Sequence, residues 1–170
     1  MTEEPEDFLY ATIEEVLDLF PASLDLTSPS DEQLPEIVDV LTKVAICTNM
    51  WAVHEFGGRV GPSRGNALVE QVVAAAFQTF GGQDPHPQPF EKAAMLLRGI
   101  TQGHPFVDGN KRTGFLVAMC FLERAGLPAP EAGLPREDVV EFCRRVSAGE
   151  IRKIEDMART LAIFWGQPYP

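Results

Sequence analysis

Lysine and arginine are missing from the first 42 residues of this chain, although those residues carry 12 of its 25 acidic side chains. The other 128 residues hold 13 acids against 14 bases, a balance of +1 within a total of −11. The acidity therefore belongs to one end, and the body is nearly neutral. No basic stripe of the kind that tracks a phosphate backbone is present, which argues against direct binding of DNA or RNA. Cysteine is scarce as well. Cys47, Cys120 and Cys143 are far apart and sit among apolar neighbours. They read as reduced core thiols, not as a disulfide frame or a zinc site. No run approaches the roughly 18 consecutive apolar residues of a membrane span. The acidic N-terminus also lacks the basic start of a secretory signal. A cytoplasmic protein without membrane association is the expectation. Alternating apolar and polar positions of useful strand length are missing too, as is any internal repeat.

What is there is helix. Phe8, Ile13, Val16, Leu17 and Phe20 fall on one helical face, which Pro21 ends. A linker rich in Pro, Ser and Leu follows over 21–30. Ser30-x-x-Gln33 reads as a capping box opening a second helix to about Phe56, with Leu34, Ile37, Val38, Leu41, Val44 and Ala45 as its inner stripe. Helices are expected over about 66–77 and 90–100, the latter built of strong helix formers. Between them, five of the nine residues from Gly81 to Pro89 are Gly or Pro, which requires a loop. A central helix should end near Arg124, with Gly126 as its left-handed cap and Pro128 barring continuation. Pro135 opens another helix through Val146, and Ser147-x-x-Glu150 reads as a capping box before a last helix through Phe164. The chain divides on this reading into an acidic helical extension, 1–50, and a main domain, 51–170. The fold class is all-α, a bundle around a buried central helix.

The densest chemistry lies in His104-Pro105-Phe106-Val107-Asp108-Gly109-Asn110-Lys111-Arg112-Thr113-Gly114, which opens into the apolar run Phe115–Leu122. A polar, glycine-containing loop at the start of a buried helix suits an anion. The first-turn N–H groups point outward, and the macrodipole favours negative charge there. Lys111 and Arg112 add two full positive charges, which oppose the macrodipole unless an anion is present. The loop is expected to hold phosphate, with His104 working beside it. A P-loop is ruled out by the glycine spacing and by the absence of a preceding strand.

These residues resemble the motif of the Fic/Doc (Fido) superfamily, with His104, Phe106, Asp108, Gly109, Asn110 and Arg112 all matching. Lys111 after the asparagine, and Phe115 where the AMP-transferring branch has a second arginine, resemble the death-on-curing (Doc) branch. Gly109 is the choice of the AMP-transferring branch. The resemblance covers about residues 54–163. It implies a Fido-type helical bundle and a toxin-like protein phosphotransferase using ATP and Mg²⁺. The acceptor would be a Ser or Thr hydroxyl of a protein, elongation factor Tu by family analogy, with arrest of translation as the effect. It also implies a small antitoxin that lays a helix in an apolar groove, and a flap before the motif, a role open to the 81–89 loop or its flanks. The alternatives are AMP transfer to a protein hydroxyl, or a catalytically idle Fido domain acting as a binding module.

Each residue then has a functional and a plainer reading. His104 is the candidate general base, since an imidazole of unperturbed pKa about 6.5 accepts a proton near neutrality. Such a base contributes roughly 10²–10⁴-fold; the plainer reading is a histidine with no catalytic part. Asp108 is the candidate Mg²⁺ ligand, because that ion is held by one or two carboxylates plus phosphate oxygens. It is equally a candidate N-cap for the central helix. Gly109 answers either to close approach of phosphate or to a positive φ in a tight turn. Asn110 would orient the loop and offer an amide donor. Lys111 and Arg112 would grip phosphates, or form a solvated pair. Phe106 completes the binding loop as its apolar peg.

Overall fold

The computed structural model describes residues 15–18 and 20–170. After a helical turn at 15–17 come α1 (Leu34–Phe56), α2 (Asn66–Ala75), α3 (Pro89–Gly103), α4 (Asn110–Arg124), α5 (Arg136–Ser147) and α6 (Ile154–Trp165). Among the described residues no strand forms. Two isolated bridges, Pro62 to Phe106 and Phe80 to Gln83, are the extended pairing among those residues. The all-α expectation holds. No helix among the described residues is long and apolar enough to cross a membrane.

α4 is the axis of the molecule. Phe115, Val117, Ala118, Cys120, Phe121 and Leu122 are buried on several of its faces, because α1, α3 and α5 all pack against it. The approach to α3 is tight at Gly114, where a Cβ would stand 3.0 Å from Thr101 Cγ2 and 3.1 Å from the Leu97 carbonyl oxygen. α4 ends as the sequence expects: the N–H groups of Gly126 and Leu127 return to the carbonyls of Glu123 and Leu122. α6 closes the other side of α3, and Trp165 meets both Phe90 and Phe115 at ring distances of 6.5 and 6.3 Å.

The start of the described chain joins the same core. Val16 and Phe20 are buried, and Arg124 donates to the Phe20 carbonyl while lying over its ring. Phe8 and Ile13, the rest of that expected apolar face, lie outside the described residues. Residue 50, the expected end of the N-terminal extension, falls inside α1. α1 runs unbroken through it, and residues on both sides, Val44 and Ala45 before and Ala52 and Val53 after, are buried. Both expected capping boxes are corrected. Gln33 itself is the N-cap of α1, and its side chain accepts from the Ser30 N–H at 3.3 Å. Ser147 closes α5 instead of opening α6, which starts at Ile154, and Glu150 is taken up by Arg144 and Arg145. The capping box that does form is Gln88 with Glu91, at the head of α3.

The Gly/Pro loop after α2 is anchored away from the motif. Lys92, fully buried on α3, bonds the Asp84 carboxylate and the Ala76 carbonyl and lies 5.1 Å from the Phe77 ring centroid. The segment that does lie along the motif is 59–63, earlier in the chain. The Ser63 N–H donates to the Pro105 carbonyl at 2.8 Å, and the Val107 N–H donates to the Gly61 carbonyl at 3.1 Å. The segment hydrogen-bonded along the motif is therefore 59–63, and not the proline-rich loop.

Candidate active site

α3 ends at Gly103, and His104, its C-cap, takes φ 47° and ψ 52°. Among the described residues it is the one non-glycine with positive φ, a conformation that histidine tolerates better than most residues but that still carries strain. The effect is to reverse the chain sharply and leave the histidine exposed at the rim of a cavity of about 750 Å³. Phe106 then dives into the core at 1% exposure and does not line that cavity. Phe106, expected among the ligand-binding residues, is therefore packed in the core and not on the cavity wall.

The loop is clasped from within. The Asn110 amide accepts from the Phe106 N–H and donates to the Phe106 carbonyl, both at 3.0 Å. Asn110 thus clasps the loop with its Oδ1 and one Nδ2 hydrogen, while the second Nδ2 hydrogen is not used in that clasp. Gly109 is the N-cap of α4 at φ 77°, and a Cβ there would stand 3.3 Å from Asn49 Nδ2 and 3.4 Å from Val53 Cγ2. Both the turn and the close packing call for glycine.

Asp108 is not the cap of α4, which has no side-chain cap and no acid in its first turn. Its carboxylate accepts instead from the Arg59 backbone N–H at 2.8 Å, with the Arg59 guanidinium a distant 4.0 Å away. The backbone N–H groups of Asn110, Lys111 and Arg112 are consequently left without an acceptor among the described residues, at the positive end of a buried helix. Lys111 and Arg112 line the same cavity, and the Arg112 guanidinium lies 4.2 Å from the Phe56 ring centroid. Among the described residues Asp108 is the only carboxylate lining it, and no group of three or more potential metal ligands forms.

Sequence reasoning missed Asn49. It is fully buried on α1, donates to the Asp108 carbonyl at 2.8 Å and to Thr113 Oγ1 at 3.2 Å, and accepts from the Gly61 N–H at 3.2 Å. One amide therefore ties α1, the 59–63 segment, the motif loop and α4 together. The clue was an asparagine at a core-facing helix position, a placement that demands partners. The far wall of the cavity was missed too. It comes from α5, through Arg136, Val139, Val140, Cys143 and Arg144. Trp51 and Phe56 supply the aromatic side, and the buried Trp51 Nε1 has no hydrogen-bond partner among the described residues.

A loop that turns at a strained histidine, an uncapped helix start and two cations at its first turn thus line one cavity. The chain is similar to known proteins over this region. Residues 39–122 match the Fic/DOC family. Toxin Doc of Mycolicibacterium smegmatis is 37% identical over 89 residues, covering 52% of this chain and 62% of its own length. A Fido domain-containing protein of Dictyostelium discoideum is 34% identical over 65 residues, covering 37% of this chain and 46% of its own. The chain thus spans less than two thirds of either relative. The matched stretch contains most of α1, all of α2 and α3, the motif loop and most of α4, and over these residues the chain carries a Fic/Doc family domain.

Proposed function

We propose that this chain is a Doc-like phosphotransferase that moves the γ-phosphate of ATP to a Ser or Thr hydroxyl of a protein. The observation that carries the reading is that one cavity is lined by the exposed, strained His104, by the uncapped start of α4 and by Lys111. In this mechanism the triphosphate lies against the free N–H groups of α4. Lys111 supplies a point charge and Arg112 a planar fork once it leaves the Phe56 ring. His104 takes the proton of the attacking hydroxyl as its oxygen bonds to the γ-phosphorus and ADP departs. Asp108 is the residue that would hold Mg²⁺: it is half exposed, lines the cavity, and has one carboxylate oxygen free of the Arg59 N–H. A single carboxylate with phosphate oxygens is an ordinary Mg²⁺ environment, and the ion would neutralise charge on the triphosphate.

Two features favour phosphate over AMP transfer. Gly109, the motif residue shared with the AMP-transferring branch, is accounted for by its φ of 77° and its packing on Asn49. Phe115, where that branch has a second arginine, is 9% exposed against Trp165, so no further cation stands there. Elongation factor Tu as target, and an antitoxin helix covering the exposed Phe56 and Val140 at the cavity rim, belong to the same proposal. The test is incubation of the protein and a cell lysate with ATP labelled at the α or the γ position. Transfer of γ label alone is expected, with none from His104→Ala. Transfer of α label would replace the reading with AMP transfer, and no transfer of either would point to a binding module.

A further inference from the structure

His104 is held in its turn against two preferences. Its φ of 47° and ψ of 52° lie in the left-handed region. The residue before a proline, here Pro105, is also pushed toward extended backbone. Such a conformer persists only where its surroundings impose it. Downstream the hold is plain, because Phe106 is buried and clasped by Asn110 through two bonds of 3.0 Å. Those contacts begin two residues after His104 and do not reach its own carbonyl.

Ser63 does reach it. The 59–63 segment is bonded to the motif at alternate residues. The Arg59 N–H donates to the Asp108 carboxylate at 2.8 Å, the Val107 N–H to the Gly61 carbonyl at 3.1 Å, and the Ser63 N–H to the Pro105 carbonyl at 2.8 Å. The Ser63 hydroxyl extends this ladder by one contact, since its oxygen lies 3.2 Å from the carbonyl oxygens of both His104 and Pro105. A hydroxyl has one hydrogen to give. The Pro105 carbonyl already receives the Ser63 N–H, whereas the His104 carbonyl has no other donor among the described residues. Two residues on, Gly65 is the N-cap of α2, which packs on both α1 and α3. The serine thus ties the peptide that follows the histidine to the start of a packed helix.

We infer that Ser63 is a positioning residue for His104: by holding the His104 carbonyl, its hydroxyl sets where the imidazole stands at the cavity rim. Ser63 does not line that cavity, so it acts through the histidine and not on a ligand. The effect on rate rests on the phosphotransfer reading; the hold on the imidazole concerns the protein alone.

Comparing Ser63→Ala with Ser63→Thr, which keeps the hydroxyl, tests this in the full chain. One readout is transfer of label from γ-labelled ATP into a cell lysate. The other is the NMR peak of the His104 imidazole Cε1–H group, assigned by its loss in His104→Ala. In Ser63→Ala the rate at saturating ATP should fall about tenfold, the scale of one hydrogen bond. The ATP concentration that gives half the maximal rate should stay as it was, which marks an interaction made through the base and not through ATP binding. The imidazole peak should shift or broaden. Ser63→Thr should restore both rate and peak. A wild-type rate in Ser63→Ala, a raised half-saturating ATP concentration, or an equal loss in Ser63→Thr would overturn the positioning role. So would an unmoved imidazole peak in Ser63→Ala. Should the wild-type protein transfer no label, the phosphotransfer reading falls, and the peak alone then decides whether Ser63 places the histidine.

Discussion

Replacing Asn49 with alanine should loosen the motif loop without touching any residue that meets a ligand. The amide makes three hydrogen bonds, to the Asp108 carbonyl, to Thr113 Oγ1 and from the Gly61 N–H, at 2.8, 3.2 and 3.2 Å. Asn49 is fully buried, but Asp108 and Gly61 retain some access to water. About 1 kcal/mol per bond, near the middle of the usual range, is therefore appropriate, and the total loss is about 3 kcal/mol. For a chain of this size that is a fall in Tm of about 6–12 °C. Asn49→Asp sharpens the test. It keeps an acceptor for the Gly61 N–H but sets a carboxylate oxygen against the Asp108 carbonyl, so it should melt no higher than the alanine variant. Both variants should also lose phosphotransfer at saturating ATP, because Gly109 packs on Asn49 Nδ2. Thermal denaturation by circular dichroism gives the first quantity and the labelling assay the second. An alanine variant within about 1 kcal/mol of wild type would refute the view that this amide holds the site together.

Gly109→Ala should cost about 1–2 kcal/mol from the left-handed backbone alone, and more if Asn49 cannot yield, measured as a drop in Tm. The Lys92–Asp84 pair should respond unequally to denaturant. Asp84→Ala strands a fully buried cation, whereas Lys92→Met leaves a carboxylate that is 27% exposed and can hydrate, so the aspartate variant should be the less stable. Burial raises the Asp84 carboxyl, but hydrogen bonds from Lys92 and the His86 N–H outweigh it and hold the group below the usual carboxylate range. Its contribution is therefore present above about pH 4 and is lost as pH falls through the depressed value, so wild type and Asp84→Ala should converge in Tm under acid. Burial raises Cys120 and Cys143 to about 12, whereas Cys47 is only half buried. Iodoacetamide should therefore modify Cys47 first under native conditions, as read by mass spectrometry of digests.

Much of this was legible from local pattern. The inner stripe of α1, the run after Arg112, and Gly126 with Leu127 at the end of α4 are decided within a few residues, by helical periodicity and cap chemistry. The motif could be read as an anion cradle because its cations conflict with the helix dipole. What failed was chemistry with two local solutions. Ser147 and Glu150 fit a capping box, but Arg144 and Arg145 are nearer claimants for the glutamate. Asp108 fits an N-cap, but the 59–63 segment, some fifty residues earlier, takes its carboxylate. Neither Asn49 nor Arg136 could be assigned to the site from sequence, since each becomes part of it only when α1 and α5 dock on α4.

The contact between Asp108 and Arg59 is made by a main-chain N–H. Any amino acid except proline brings that donor, so position 59 can drift through charge and size while the carboxylate stays where it is. Constraint moves one residue back, to Gly58, where a Cβ would sit 2.9 Å from Asp108 Cβ. Variation at 59 alongside invariance at 58 is thus the evolutionary trace this geometry would leave, and a count of conserved side chains would overlook the group that does the holding.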